Sequence, residues 1–567
     1  MAISSMVSVI RGEAVEACSE TDVVSIAWSF ASLSLQNGPF ITVFGQFSLV
    51  RLSQFKAADV ARLAWVFASL SVANQPLDTL VSRAKVEMDY FSALDIASIV
   101  WSFARLQVAD APFMQQLARR ADQVIANCTP QNLTNIAWAL ANLSFSDEPL
   151  LGAIAQHAVT NAAEFNSQDV SNTLWAFASM RVENLPLFQV LSRHPSISEA
   201  SHQEFANFAW AVASVTFSNN PLKDAIEDMS LMRLKTSKSL RDDTRHPTFA
   251  FGIVHALHRL GRYGADHRQA AVQLCRAWAA ANDVGPGFVT EAEAANARLK
   301  DREPGVLKEE PHLCVLWKPA GWTVSVSHSS GANWTEEDKS QTTLPGEPLM
   351  GLRFQDWIMQ TFGSQWPIAK DASSAHGLMH RLDRETSGAI LCAKTYLGSY
   401  LTQLELETGG VRKMYLCLCD GLVDRGAPRM ISYPLVSRGG KSHASRTGRD
   451  ARTEVLSVAH LRDGFAGCYS LLQVKLHTGR LHQIRAHLSH LGHPLVGDES
   501  YGSSRRPWCR RTFLHACRLL VSVPDLDLSL DIAAPLPADL WDALQELVPA
   551  DEQSRRVINW VVSGGKK

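Results

Sequence analysis

The stretch HRLDRETSG, residues 380 to 388, sets one carboxylate, Asp383, between Arg381 and Arg384. It then turns through Thr386, Ser387 and Gly388 into the apolar run AILCAKT. A guanidinium beside a carboxylate favours the charged form and fixes its geometry, which suits an aspartate that must react while ionised. Taken alone, the pattern reads more simply as a surface ion pair. Three further stretches change that reading: KPAG at 318 to 321, RKMY at 412 to 415, and GRLHQIRAHLSHLGHPLVGDESYG at 479 to 502.

Other chemistries fit less well. GGKS at 439 to 442 ends like a nucleotide-binding loop, but Leu435 stands where the first glycine belongs. HRLD has no glycine-rich loop and no D-F-G to accompany it, and Ser387 lacks the G-x-S-x-G elbow, so phosphoryl transfer and serine nucleophilic catalysis are set aside. His482, His487, His490 and His493 do not give a ligand pair plus a separate third ligand, so no metal is expected. The ten cysteines contain no C-x-x-C pair, which suits a reducing, intracellular setting. Cys417 and Cys419 read as small apolar residues on a strand.

These stretches need strands and helices to hold them. HLCVLWKPAG, GAILCAKT, KMYLCLCDGL, YSLLQVKLHTG and FLHACRLLVSVP read as strands, with helices such as YLGSYLTQLELE and LHQIRAHLSHLG between them. The pattern predicts an α+β domain with a mixed or antiparallel sheet over 306–548, after a polar linker at 284–305 and before a tail at 549–567.

The four motifs, in this order, resemble the RluA-type RNA pseudouridine synthases over about residues 306 to 535. The resemblance implies an isomerase that converts uridine in ribosomal or transfer RNA with no metal or organic cofactor. It makes Asp383 the catalytic aspartate, Arg485 its salt-bridge partner, and Tyr415 the group that stacks on or deprotonates the target base. Arg381 would fill the gap left by the flipped nucleotide, and His482 joins the RNA-binding set. Segment 327–376 is longer than the family's usual connection. Two basic clusters add phosphate-binding capacity: Arg425, Arg429, Arg438, Lys441, Arg446, Arg449 and Arg452, then Arg505, Arg506, Arg510, Arg511 and Arg518.

The first half follows another rule. Tryptophans at 28, 65, 101, 138, 175 and 210 recur every 35 to 37 residues, each followed eleven residues later by proline (Pro39, Pro76, Pro112, Pro149, Pro186, Pro221). In the first unit Val23, Ile26, Ala27, Phe30 and Leu33 form one apolar stripe. Asp22, Asp59, Asp95, Asn132, Asp169 and Glu204 sit where a helix begins, and the prolines suit the first turn of a second helix. Stacked helix pairs, an all-α solenoid over 1–283, follow. FGIVHALHRLG reads as a degenerate seventh unit with His255 at the tryptophan position, and the tryptophans themselves read as core. The chain opens in what reads as the second helix of an earlier unit.

The repeats resemble the octotricopeptide and heptatricopeptide type found in organellar RNA-binding proteins, over roughly residues 1 to 260. That implies mitochondrial or plastid residence, with the cytoplasm as alternative; the first twenty residues, one Arg and three Glu, read poorly as a transit peptide. Residues 1 to 230 hold 12 Lys and Arg against 21 Asp and Glu; the remainder holds 42 against 35. The halves therefore meet different partners, or different parts of one. The expected whole is a monomeric, membrane-free pseudouridine synthase whose repeats direct the choice of RNA or protein partner. The alternative is a repeat-based binding or scaffold protein with an inactive synthase domain.

Overall fold

The computed structural model describes residues 19–33, 51–70, 77–106, 108, 110–215, 220–236, 247–283, 301–324, 353–438, 440–465 and 467–562. The chain divides into two compact units, Met1–Asn219 and Asn220–Lys567.

Among its described residues the first unit is helical, without strands: α1 (Glu20–Ser32), α2 (Ala57–Leu70), α3 (Leu77–Val86), α4 (Ala93–Arg105), α5 (Ala111–Val124), α6 (Pro130–Asn142), α7 (Glu148–Thr160), α8 (Ser167–Ser179), α9 (Leu185–Leu191) and α10 (His202–Ser214). The tryptophan-bearing helices α1, α2, α4, α6, α8 and α10 pack on one another in sequence, and α3, α5, α7 and α9 form a second row. In five tryptophan helices the repeated acid or amide closes a capping box. Its side chain accepts from the N-cap amide, while the N-cap Ser, Thr or Asn (Ser19, Ser92, Thr129, Asn166, Ser201) accepts from its own amide. The second helices start as expected: Pro112, Pro149 and Pro186 lie in the first turn, capped by Asp110, Asp147 and Asn184. Pro39 and Pro76 fall outside the described residues.

Two details differ from the sequence reading. In α1 the buried set is Val24, Ala27, Phe30 and Ala31, while Leu33 is exposed at the C-cap. The tryptophans are not core: Trp28 is 47% exposed and the other five are half-buried. They pack against each other from unit to unit instead, with ring centroids 6.0 Å apart for Trp28 and Trp65 and 6.4 Å for Trp101 and Trp138 and for Trp175 and Trp210. Phe103, Phe177 and Phe205, fully buried, fill the interior.

The second unit opens with α11 (Asn220–Thr236), α12 (Thr248–Leu260, the degenerate repeat) and α13 (Ala265–Asn282). Strands β1 (Gly305–Glu309) and β2 (Leu313–Lys318), helix α14 (Phe354–Phe362), β3 (Ser387–Ala393), helix α15 (Tyr396–Thr408) and β4 (Val411–Asp420) follow. Then come β5 (Met430–Ile431), β6 (Leu435–Arg438), β7 (Lys441–Ala444), β8 (Thr453–Arg462), β9 (Cys468–Leu476), helix α16 (Gln483–His490), β10 (Leu514–Val523), β11 (Leu528–Ala533), helix α17 (Ala538–Gln545), β12 (Val548–Pro549) and helix α18 (Glu552–Val562). The sheet runs β1-β2-β3-β10-β4-β9-β8-β12, with β11 on β10 and β5 on β8, while β6 and β7 form a separate hairpin. Among the described strands of this sheet, the β3–β10 pairing is parallel and the others are antiparallel, which makes the sheet mixed as expected. The segment read as a tail carries α18, which packs on β8.

The helices α12 and α13 are joined to α15 by polar contacts. Arg268 bridges Glu405 and Asp525 at 2.6 Å each, His255 Nδ1 meets Glu407 at 2.9 Å, and Asp283 accepts from the Tyr396 and Leu397 amides at the start of α15. Among the described residues, no helix is long and apolar enough to cross a membrane.

Candidate active site

Asp383 stands in the turn that feeds β3. The Thr386 amide donates to the Asp383 carbonyl at 3.0 Å, and the chain then enters the sheet beside β10. Gly388, with φ +129°, lies against the backbone of Ala516, where a Cβ would collide with the Ala516 carbonyl oxygen. The KPAG motif holds this turn from beneath. Lys318 is fully buried, and its Nζ donates to the carbonyls of Pro319 (2.9 Å), Arg384 (3.1 Å) and Thr386 (2.6 Å), while the Gly321 amide donates to Arg384 O at 2.8 Å. An ammonium has three donors, and all three are engaged. Burial pulls the Lys318 pKa down to about 7, against the charge of Glu385.

Arg485, on α16, faces Asp383 with Nη1 at 3.5 Å from Oδ2. Its tighter partner is Asp498, reached by Nε at 2.7 Å and Nη2 at 2.9 Å. This fork is the bidentate geometry that fixes a guanidinium most firmly. Asp498 is 1% exposed, and the Tyr501 ring lies 4.9 Å from Arg485 Cζ. Burial alone would lower the Arg485 pKa; the hydrogen bonds to Asp498 and the charges of Asp383 and Asp498 hold it well above its ordinary value instead. Asp498 lies in the GDESYG stretch, but nothing in its spacing announced this partner.

Burial would raise the Asp383 carboxyl, yet the positive charges of His482, which is protonated only in the acid range where Asp383 titrates, of Arg485 and of Arg381 bring it below the usual carboxylate value. His482 itself falls to about 4, because burial outweighs the pull of Asp383. At neutral pH it is therefore uncharged, and Arg485 and Arg381 supply the field. His482 occupies the left-handed N-cap of α16 (φ 48°), and the Tyr501 hydroxyl lies 3.2 Å from its Nδ1 while accepting from the Ser442 amide at 2.8 Å. That contact ties the β6–β7 hairpin to the site. Gln483, buried, donates to Arg452 O and Thr453 Oγ1 and accepts from the Arg480 amide, each at 3.0 Å.

Tyr415, on β4, is 5% exposed, and burial together with the nearby Asp383 charge raises its phenol pKa far above the ordinary value. The phenol therefore stays protonated. Arg381 is exposed beside Asp383. The basic clusters separate. Arg446, Arg449 and Arg452 are exposed, Lys441 is half-buried on β7, and the Arg438 side chain lies outside the described residues. Arg452 pairs with Asp450 at 3.5 Å. In the second cluster Arg505, Arg506, Arg511 and Arg518 pair with Glu499, Asp420, Asp539 and Asp531, and Arg510 is exposed. Arg425 is likewise tied to Asp551. The histidines of the motif have structural partners: His487 contacts Thr453 and Tyr433 O, and His493 contacts Asp420 O. No group of three His, Cys, Asp or Glu among the described residues is placed to hold a metal ion.

Residues 312–490 match the family described as RNA pseudouridylate synthase, and residues 2–220 match that of the RNA-editing substrate-binding complex 6 protein. The tRNA pseudouridine synthase C of Salmonella typhimurium is 31% identical over 274 residues, which covers 44% of this chain and 93% of the relative. An uncharacterized RNA pseudouridine synthase of Bacillus subtilis is 29% identical over 250 residues, 44% of this chain and 74% of the relative. One from Chloroflexus aurantiacus is 38% identical over 179 residues, 30% of this chain and 53% of the relative, so this chain spans about half that protein's length. Among solved structures, human RNA pseudouridylate synthase domain containing 4 aligns with 43% of this chain and 94% of its own, at 21% identity and a TM-score of 0.31.

Proposed function

Because the chain belongs to the RNA pseudouridine synthase family, we propose that Asp383, Tyr415 and Arg485 carry out its isomerisation of uridine in ribosomal, transfer or organellar RNA. The reaction breaks the bond between N1 of uracil and C1′, turns the base in place, and joins C5 to C1′. The C5 proton leaves and N1 takes one up. Asp383 serves as an ionised carboxylate, either adding to C1′ or removing a ribose proton. A stacked uridine must first leave the helix, at a cost of a few kcal/mol that stacking and phosphate contacts offset. Arg381, exposed at the rim, fills the vacated space. The protonated Tyr415 phenol supports its use as an aromatic wall for the base rather than as a proton acceptor.

The observation that carries this reading is the Asp383–Arg485–Asp498 arrangement. A guanidinium fixed by one buried carboxylate presents its remaining nitrogen to a second, depressed carboxylate at 3.5 Å. The test is carbodiimide mapping of pseudouridine in cellular RNA, with and without the protein. Uridine conversion at specific positions is expected with the wild type and not with Asp383→Asn; conversion that persists in the variant rules out this aspartate.

The helical repeats, read as octotricopeptide-like and organellar, direct the choice of partner, and their surface favours RNA over protein. Gln131, Gln168 and Gln203 stand seven residues before the tryptophans of α6, α8 and α10, and Asn135, Asn172 and Asn207 three before, all at least partly exposed. An uncharged row of amides beside indole faces suits contact with bases rather than phosphates. That agrees with the acidic balance of this half, where Asp95, Asp169 and Glu204 are occupied as helix caps.

A further inference from the structure

Tyr501 touches the hairpin, helix α16 and the guanidinium of Arg485, and the isomerisation described above gives it no task. Core packing explains its ring, which is buried with Leu435, Ala451 and Ala486. Packing does not explain the hydroxyl, since a phenylalanine would fill the same space. That oxygen accepts from the Ser442 amide of β7 at 2.8 Å and lies 3.2 Å from His482 Nδ1. Ser442 is itself fully buried, and β7 packs on α16. The Tyr501 backbone is pinned as well: its amide donates to Asp498 O at 3.1 Å, and its carbonyl accepts from Ser489 Oγ of α16 at 2.8 Å.

Counting protons decides the histidine tautomer. A phenol has one proton and two lone pairs, and the Ser442 amide takes a lone pair, so the proton is left for Nδ1. Were Nδ1 the donor instead, the phenol proton would have no acceptor among the described residues, and a buried donor left unmet is costly. His482 is uncharged at neutral pH, so with Nδ1 accepting, its one ring proton sits on Nε2. Burial likewise keeps the phenol protonated, its pKa pushed up to about 12. His482 also has a left-handed backbone (φ 48°, ψ 29°), a conformation that persists where the surroundings hold it. Three residues further along α16, Arg485 has its Cζ 4.9 Å from the Tyr501 ring centroid while its fork rests on Asp498. One residue therefore touches both His482 and the arginine that faces Asp383.

We propose that Tyr501 is a positioning residue for the isomerisation: its hydroxyl, seated on the Ser442 amide, holds the His482 ring with the proton on Nε2, and its aromatic face holds Arg485 against Asp498. The inference rests on the pseudouridine synthase reading for the reaction it serves. Ser442 stands next to Lys441, which that reading gives to RNA, so the seating of the β6–β7 hairpin on α16 and the placement of Arg485 depend on one side chain.

The test uses the whole chain and total RNA from cells that lack it, labelled with tritium at C5 of uridine. Tyr501→Phe keeps the ring and removes only the hydroxyl. It is expected to lower the rate of tritium release at saturating RNA about threefold to tenfold, as loss of one hydrogen bond requires, with the half-saturating RNA concentration unchanged. Tyr501→Leu, which also takes the aromatic face from Arg485, should lose more. Nitrogen NMR of the chain carrying isotope-labelled histidine, with the His482 signals identified by their loss in His482→Gln, should show Nε2 protonated and Nδ1 accepting in the wild type. Tyr501→Phe should show both tautomers, whereas a merely structural role would lower stability and leave the tautomer as it was. A wild-type rate in Tyr501→Phe, a change confined to the half-saturating concentration, or an unaltered His482 tautomer in that variant overturns the proposal. So does a protonated Nδ1 in the wild type, a result that needs no variant to fold. Failure of the isomerase reading appears separately, as wild-type protein that releases no tritium whatever its His482 spectrum.

Discussion

Arg485 divides itself unequally between two carboxylates, and the inequality explains how Asp383 stays reactive. A bidentate pair with Asp383 would occupy both carboxylate oxygens and quench the nucleophile or base. Here the fork goes to Asp498, and Asp383 receives only Nη1 at 3.5 Å. The remaining field still keeps Asp383 below the ordinary carboxylate pKa of about 3.9. A carboxyl depressed in this way is ionised throughout the neutral range, so its contribution to activity is lost only as pH falls through that low value. Asp498→Ala removes both close acceptors and leaves a buried guanidinium with Asp383 at 3.5 Å as its carboxylate partner, and breaking such a pair costs about 3–5 kcal/mol. Urea denaturation should show a loss of that order, and the conversion rate should fall as Arg485 swings toward Asp383. Equal stability and equal rate in Asp498→Ala would show that Asp498 is a bystander.

At the scale of elements, the motifs were legible in the sequence because each lies where a strand meets a turn, and their order survives folding. What could not be read was which side chain answers which. KPAG is visible as a motif, but its lysine acts through three backbone carbonyls, a role no residue pattern encodes. In the basic run from Arg505 to Arg518, four arginines pair with Glu499, Asp420, Asp539 and Asp531, carboxylates scattered through the chain that no spacing in the run points to. The tryptophan period was plain, yet periodicity marks a face without telling whether that face is buried or shared with a neighbour's indole. The end of the array was misleading for a related reason: α12 keeps the helical spacing while its His255 pairs with α15. Truncation tests this directly. Removing residues 1–219 should leave conversion of a short oligonucleotide intact while changing which RNAs are modified. Removing residues 1–283 deletes Arg268 and Asp283 and leaves Glu405 and the start of α15 without their partners; that protein should melt lower and convert less. Equal behaviour of the two truncations would show that α11 to α13 belong functionally with the repeats.

On the scale of the whole molecule, one chain carries an acidic helical unit and a basic α+β unit. Under the proposed function the two units would share one RNA, with uncharged amides and indoles offered to bases by one and guanidiniums offered to phosphates by the other. On that proposal the repeats would choose a transcript without adding non-specific electrostatic affinity, which would come from the second unit. All of it depends on the isomerisation, and that step has a signature in hydrogen. Joining C5 to C1′ expels the hydrogen on C5, so RNA labelled with tritium at C5 of uridine must release it to water as product forms. The wild-type protein incubated with such RNA is predicted to release label in proportion to the pseudouridine formed, and Asp383→Asn is predicted to release none while still binding the RNA. Undiminished release by Asp383→Asn, or pseudouridine formed without release, would contradict the account.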